Sequence, residues 1–114
     1  MEPLILYILG GAIKSPPLSF KARIRVGELL RRIQRGERIG MPHSRPMPSI
    51  GERVHELRVR DSDAGANWRV IYRVDADFLL ILDVFPKKTP KTPNQVIDQC
   101  QGRLSLYDSG RKSQ

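Results

Sequence analysis

Cysteine is almost absent from this chain: Cys100 is the single one in 114 residues. That excludes an internal disulfide and favours a reducing, cytoplasmic setting. Cys100 falls on the apolar side of a helical pattern and reads as an ordinary core residue. Long apolar runs are missing too. Nothing approaches the roughly 18 consecutive apolar residues of a membrane span, so no membrane partner is expected. The apolar stretch Leu4–Leu9 is brief, and Glu2 is the only charge before Lys14, so the cationic leader of a signal peptide is lacking. It reads as a first strand. The two histidines, His43 and His55, stand apart from Cys100 and from each other without metal-ligand spacing. Gly10-Gly11 lacks the lysine-serine ending of a phosphate-binding loop, and nothing in the spacing places a serine triad. Chemistry without metal or cofactor, or pure binding, is what remains.

Acidic residues are also in short supply. Twelve Asp plus Glu face 20 Lys plus Arg, a net charge of +8 and a pI near 10.3. Such an excess concentrates anions and points to nucleic acid, an acidic protein or an anionic surface, without choosing among them. A hydrophobic content of 39% argues against a disordered polycation. The length suits one domain with one modest core, expected over 1–107, with 108–114 as a flexible basic tail.

Three strand-like segments carry the organisation: Val54 to Arg60, Trp68 to Val74, and Phe78 to Phe85 followed by Pro86-Lys87-Lys88-Thr89-Pro90. Side chains alternate between faces with a period of two. His55, Leu57 and Val59 therefore share a face opposite Glu56, Arg58 and Arg60, and Trp68, Val70, Tyr72 and Val74 oppose Arg69, Ile71 and Arg73. The third segment is apolar on both sides and reads as the central, doubly covered strand. Asp61–Gly65 and Asp75–Asp77 supply turn chemistry for two hairpins. One face of this meander then carries Arg58, Arg69, Arg73 and Lys87, with Lys88, Glu56 and Asp83 nearby.

Ser15-Pro16-Pro17 breaks regular structure ahead of a helix from Ser19, a good N-cap, to Arg35, with Gly36 as its stop. Its six basic residues form a solvated face or a seat for an acidic partner helix. Gly40–Gly51, with three prolines, reads as a bent loop rather than a strand, from which His43 or Arg45 can reach the basic face. Thr92, Pro93 and Gln95 make a capping box for a last helix whose apolar stripe is Val96, Ile97, Cys100, Leu104 and Tyr107.

Clustered guanidinium and ammonium groups suit a phosphate, both as a ground-state anion and as it gains charge under attack by a hydroxyl. RNA supplies that hydroxyl at its own 2′ position. Of the two groups suited to proton transfer, His55 and Glu56, alternation turns only Glu56 toward the basic face. Its other reading is a counter-ion for Arg58, Arg69 or Arg73.

Glu56-Leu57-Arg58, Trp68-Arg69-Val70-Ile71-Tyr72 and Phe85-Pro86-Lys87-Lys88-Thr89-Pro90-Lys91-Thr92-Pro93, running into a C-terminal helix, together resemble the HigB-like, phage-derived branch of the RelE/ParE toxin superfamily over about Leu4 to Tyr107. The resemblance implies an α+β fold: a small mixed-direction sheet (N-terminal strand plus three-stranded antiparallel meander) with helices packed on one face and a C-terminal helix. It also implies a toxin of a type II toxin–antitoxin pair, a metal-free, ribosome-dependent mRNA interferase. Implied partners are the ribosome and mRNA, a cognate antitoxin, commonly a helix-turn-helix DNA-binding protein, and operator DNA through that antitoxin. An acidic antitoxin segment is expected over Arg58, Arg69, Arg73 and Lys87. By position, Arg69 matches the arginine at the scissile phosphate, Lys87 or Lys88 the basic residue after the last strand, and Arg58 a further basic position. The candidate catalytic set is Arg58, Arg69, Lys87, Lys88 and Glu56, with Arg73, Arg60, His55, Arg45 and Tyr72 as RNA-binding neighbours. Two lysines that some RelE-like enzymes carry on the strand at Val54-His55-Glu56 are absent, as is a tyrosine near Pro93. The family's usual first helix is expected to shrink to a turn around Pro16-Pro17. Two alternatives are a ParE-like inhibitor of DNA gyrase and a degenerate member that binds RNA or antitoxin only.

Overall fold

The period-two segments become three long antiparallel strands, to which the chain adds an edge strand on either side. In the computed structural model, which describes residues 2–12, 18–88 and 90–112, the elements run β1 (Ile5–Ile8), α1 (Phe20–Gln34), β2 (Ser44–Pro46), β3 (Val54–Asp61), β4 (Ala66–Val74), β5 (Phe78–Pro86) and α2 (Asn94–Lys112). The sheet order is β1-β5-β4-β3-β2. β1 lies parallel to β5 and every other pairing is antiparallel. This is the α+β fold with a mixed sheet that the sequence implies. The turn proposed around Pro16-Pro17 lies outside the described residues.

Ser19 opens α1 as expected: its Oγ accepts the Ala22 amide at 3.1 Å, and Gly36 follows the helix at φ 95°, a left-handed conformation that costs glycine little. Ala22, Leu29, Leu30 and Ile33 of α1 pack on Leu57, Val59, Trp68, Val70, Tyr72 and Ile81 of the sheet. Asp61 fastens this layer. Its carboxylate accepts from the Ser19 amide at 2.9 Å, the Ala64 amide at 3.2 Å and Trp68 Nε1 at 3.1 Å. These hydrogen bonds, those from Ser19 first, hold its pKa below the ordinary carboxylate value.

The C-terminal helix α2 takes the other face, where Cys100 and Leu104 meet Leu9, Met47, Ile50, Val54, Ile71, Leu80 and Leu82. Arg103 ties it down by donating to the carbonyls of Leu82 at 2.6 Å and Gly11 at 2.9 Å. Its far end is held by Arg73, which donates to both oxygens of Asp108 at 2.8 and 3.0 Å.

Several expectations change. Ser44–Pro46, read as loop, is a short edge strand pairing with His55–Leu57; at an edge, Pro46 can present its missing donor to solvent. The strand at the middle of the sheet is β4, with β5, covered on both faces, beside it. The tail expected from Asp108 is helical through Lys112, because Asp108 and Arg111 have partners in Arg73 and Tyr107. The simple alternation of β5 also fails. Ile71 pairs with Asp83 but Tyr72 pairs with Ile81, so Leu82 bulges out of register. A bulge inverts the phase of the strand beyond it: Phe78, Leu80 and Leu82 before it share the α2 face with Phe85 after it.

Candidate functional site

On the α2 face, two residues along β3 from the Val54–Arg73 pair, Glu56 is fully buried. Three cations converge on its Oε1: Arg45 Nε at 3.0 Å, Arg69 Nε at 3.5 Å and Lys87 Nζ at 3.7 Å. Its Oε2 accepts the Thr92 hydroxyl at 2.9 Å. Each partner comes from a different element. Arg45 on β2 sits opposite Glu56 in the β2–β3 pair. Arg69 on β4 sits opposite Arg58. Lys87 follows β5, its phase set by the bulge at Leu82, and its amide donates to the Asn67 carbonyl at 2.7 Å. Thr92 precedes α2; its hydroxyl serves Glu56, while the Pro93 carbonyl accepts the Val96 and Ile97 amides at the helix start.

Arg45, Arg69 and Lys87 thus share one carboxylate, with Arg58 opposite Arg69 beside them, and the repulsion among the four registers in the acidities of Lys87 and Arg69. Lys87 is pushed down from the ordinary lysine value by burial first; Glu56 opposes this, and Arg45, Arg69 and Arg58 reinforce it. Arg69 is lowered by burial first, with Glu56 again opposing and Arg58 and Arg45 adding to the shift. Arginine stays charged throughout the physiological range. Arg69 Nη1 donates to the Trp68 carbonyl at 3.1 Å, while its buried Nε meets Glu56 Oε1 as an ion pair without hydrogen-bond geometry. Guanidinium and ammonium groups gathered in one place have the composition of an anion site.

The remaining candidates divide. Lys88 is exposed just past β5 and Arg60 is exposed on β3. Arg73 does not join the cluster: Asp75 at 2.8 Å and Asp108 at 2.8 Å hold it near the C-terminal end of β4, and hydrogen bonding to Asp108 above all raises its pKa. His55 and Tyr72 lie on the α1 face. Their rings stack at 5.5 Å, and the Tyr72 hydroxyl bonds Ser44 Oγ at 2.7 Å. They line a cleft of about 430 Å³ whose walls include Leu4, Ile33, Ile39 and Val74, turned away from Glu56. Thr92 was legible only as a cap, because a hydroxyl's partner across 36 residues leaves no local signal.

No curated protein matches the chain. Residues 17–105 match the family described as Phage derived protein Gp49-like (DUF891). The match spans every element except β1 and the end of α2, and the chain belongs to this phage-derived Gp49-like family, a family of RelE/HigB-like toxins.

Proposed function

We propose that this chain is the toxin of a type II toxin–antitoxin pair and an mRNA interferase that works on the translating ribosome in the cytoplasm. The observation that carries the reading is the convergence of Arg45, Arg69 and Lys87 on the buried carboxylate of Glu56, with Arg58 paired opposite Arg69. In the reaction, the RNA 2′-oxygen bonds to the adjacent phosphorus as the bond to the 5′-oxygen breaks, leaving a 2′,3′-cyclic phosphate and a 5′-hydroxyl. The 2′-hydroxyl proton passes to solvent water and the leaving oxygen gains one. Arg69 and Arg58 grip the non-bridging oxygens as their charge grows. Lys87, its pKa lowered by burial, delivers the proton to the leaving oxygen. Glu56, with both oxygens engaged, positions Arg69, Arg45 and Lys87. The antitoxin silences the site by laying an acidic segment over the exposed members of the cluster, and operator DNA is reached through it.

The test is primer extension on cellular mRNA after expressing the chain alone, beside Arg69→Ala and Lys87→Ala. New cuts inside translated frames, lost in either variant while both stay folded, are the expected result. Undiminished cutting in both would overturn it. The engagement of both Glu56 oxygens favours one second reading, a non-catalytic inhibitor of DNA gyrase. Growth arrest with intact mRNA and blocked supercoiling would select that one.

A further inference from the structure

β2 covers β3 only as far as Leu57. Past that point a groove of about 460 Å³ opens along the β3 edge, lined by Arg25 of α1, Pro42, His43, Arg58, Val59, Arg60, Asn67 and Arg69. Four arginines line it, from α1 and from the β3–β4 hairpin. Arg25 is half-exposed, and its ion pair is a 3.6 Å contact to Glu28, the carboxylate nearest to hand. The floor is joined to the Glu56 cluster twice: Arg69 belongs to both, and the Asn67 carbonyl holds the Lys87 amide.

We propose that this groove is a second RNA subsite, resting on the interferase reading, which binds the single-stranded backbone flanking the scissile phosphate with Arg25 and Arg60 as its phosphate contacts. One observation favours RNA over an acidic protein strand, and a second favours a polyanion of either kind. The outward amide of Arg58 already donates to the His43 carbonyl at 2.7 Å, which blocks an added strand from pairing where the edge would begin. The lining residues include four arginines, His43 and Asn67 and no carboxylate, which suits a polyanionic backbone. Arg58 and Arg60 project on one side of β3 about 6.7 Å apart along the strand, a spacing that lets separate guanidiniums take separate phosphates, and Arg25 faces them from across the edge.

The test uses the full chain and a 2′-O-methyl 12-mer oligoribonucleotide, which the proposed chemistry cannot cut, titrated by fluorescence anisotropy across a salt series. Arg25→Gln with Arg60→Gln is expected to weaken binding at least tenfold. It should also shrink the slope of log K against log salt by about 1.4, since each phosphate contact on a single strand contributes roughly 0.7. Arg31→Gln with Arg35→Gln, the same charge change at the far end of α1, should leave slope and affinity near wild type. Equal losses in both doubles, or no loss in the first, would overturn the subsite. So would a first double that loses a poly-glutamate probe while keeping the oligonucleotide, which gives the groove to an acidic chain. If the wild type makes no mRNA cuts yet the first double alone loses slope, the groove is supported and the cleavage reading falls.

Discussion

Glu56 is the residue on which the site balances. A fully buried carboxylate contacted by three cations and a hydroxyl is tolerated because its charge is matched, and removing it leaves buried positive charge without a partner. Glu56→Ala should therefore lower stability by about 3 kcal/mol in urea denaturation. Glu56→Gln, which keeps an acceptor for Thr92, should cost less while still reducing cleavage by disordering Arg69 and Lys87. Equal stability of Glu56→Ala and wild type would show that the cations relax into water. Cys100 gives a test by pH. Its thiol is fully buried, and burial, with Asp83 nearby, pushes its pKa up to about 12 from 9.0. Above pH 9 the unfolded chain loses this proton while the folded one keeps it, so stability should fall as pH rises from about 9 toward 12. Cys100→Ala should lack that part of the slope, and the native thiol should resist a disulfide reagent until unfolding. Alternation alone turned Glu56 and Arg69 to one face; that Glu56 would be saturated depended on Arg45, Lys87 and Thr92, none within ten residues of it.

Among the elements, α2 and the end of β5 depart most from a local reading. A bulge at Leu82 has no reliable signature in a run of apolar residues, yet it places Lys87 on the side of Glu56. The pairing of Ser44–Pro46 with β3 was hidden by flanking prolines, though the reach of Arg45 to the basic face was readable. The helical residues after Tyr107 depend on Arg73, whose side chain is 9% exposed and bridges Asp75 and Asp108. Arg73→Ala should destabilise the fold by about 2 kcal/mol, less than a wholly buried pair because Asp108 is partly solvated. It should also speed amide exchange in the last turns of α2 more than in α1. Uniform exchange across both helices would mean that the clamp contributes nothing local. If the clamp matters only to anchoring, Arg73→Ala should leave the affinity for an uncleavable oligonucleotide unchanged.

At the scale of the whole molecule, a net charge of +8 acts on folding and binding with opposite signs. Self-repulsion works against the compact state and attraction works toward polyanions, and salt screens both. Raising salt from about 0.05 to 0.5 M should therefore lift Tm by a few degrees while weakening oligonucleotide binding by more than tenfold. A fall in Tm over that range would mean that local ion pairs such as those of Glu56 and Arg73 outweigh the long-range repulsion. The sequence by itself determined the α+β class, the hairpins at Asp61–Gly65 and Asp75–Asp77, the span of α1 and the basic character of one sheet face. All of these follow from periods, caps and turn residues that act within a few positions. Only the tertiary structure decided which cations meet. Strand register, the Leu82 bulge and the docking of α2 set contacts between residues tens of positions apart, and these sort Arg45, Arg69 and Lys87 into one cluster, Arg73 into a clamp, and Arg25 into a groove with Arg60.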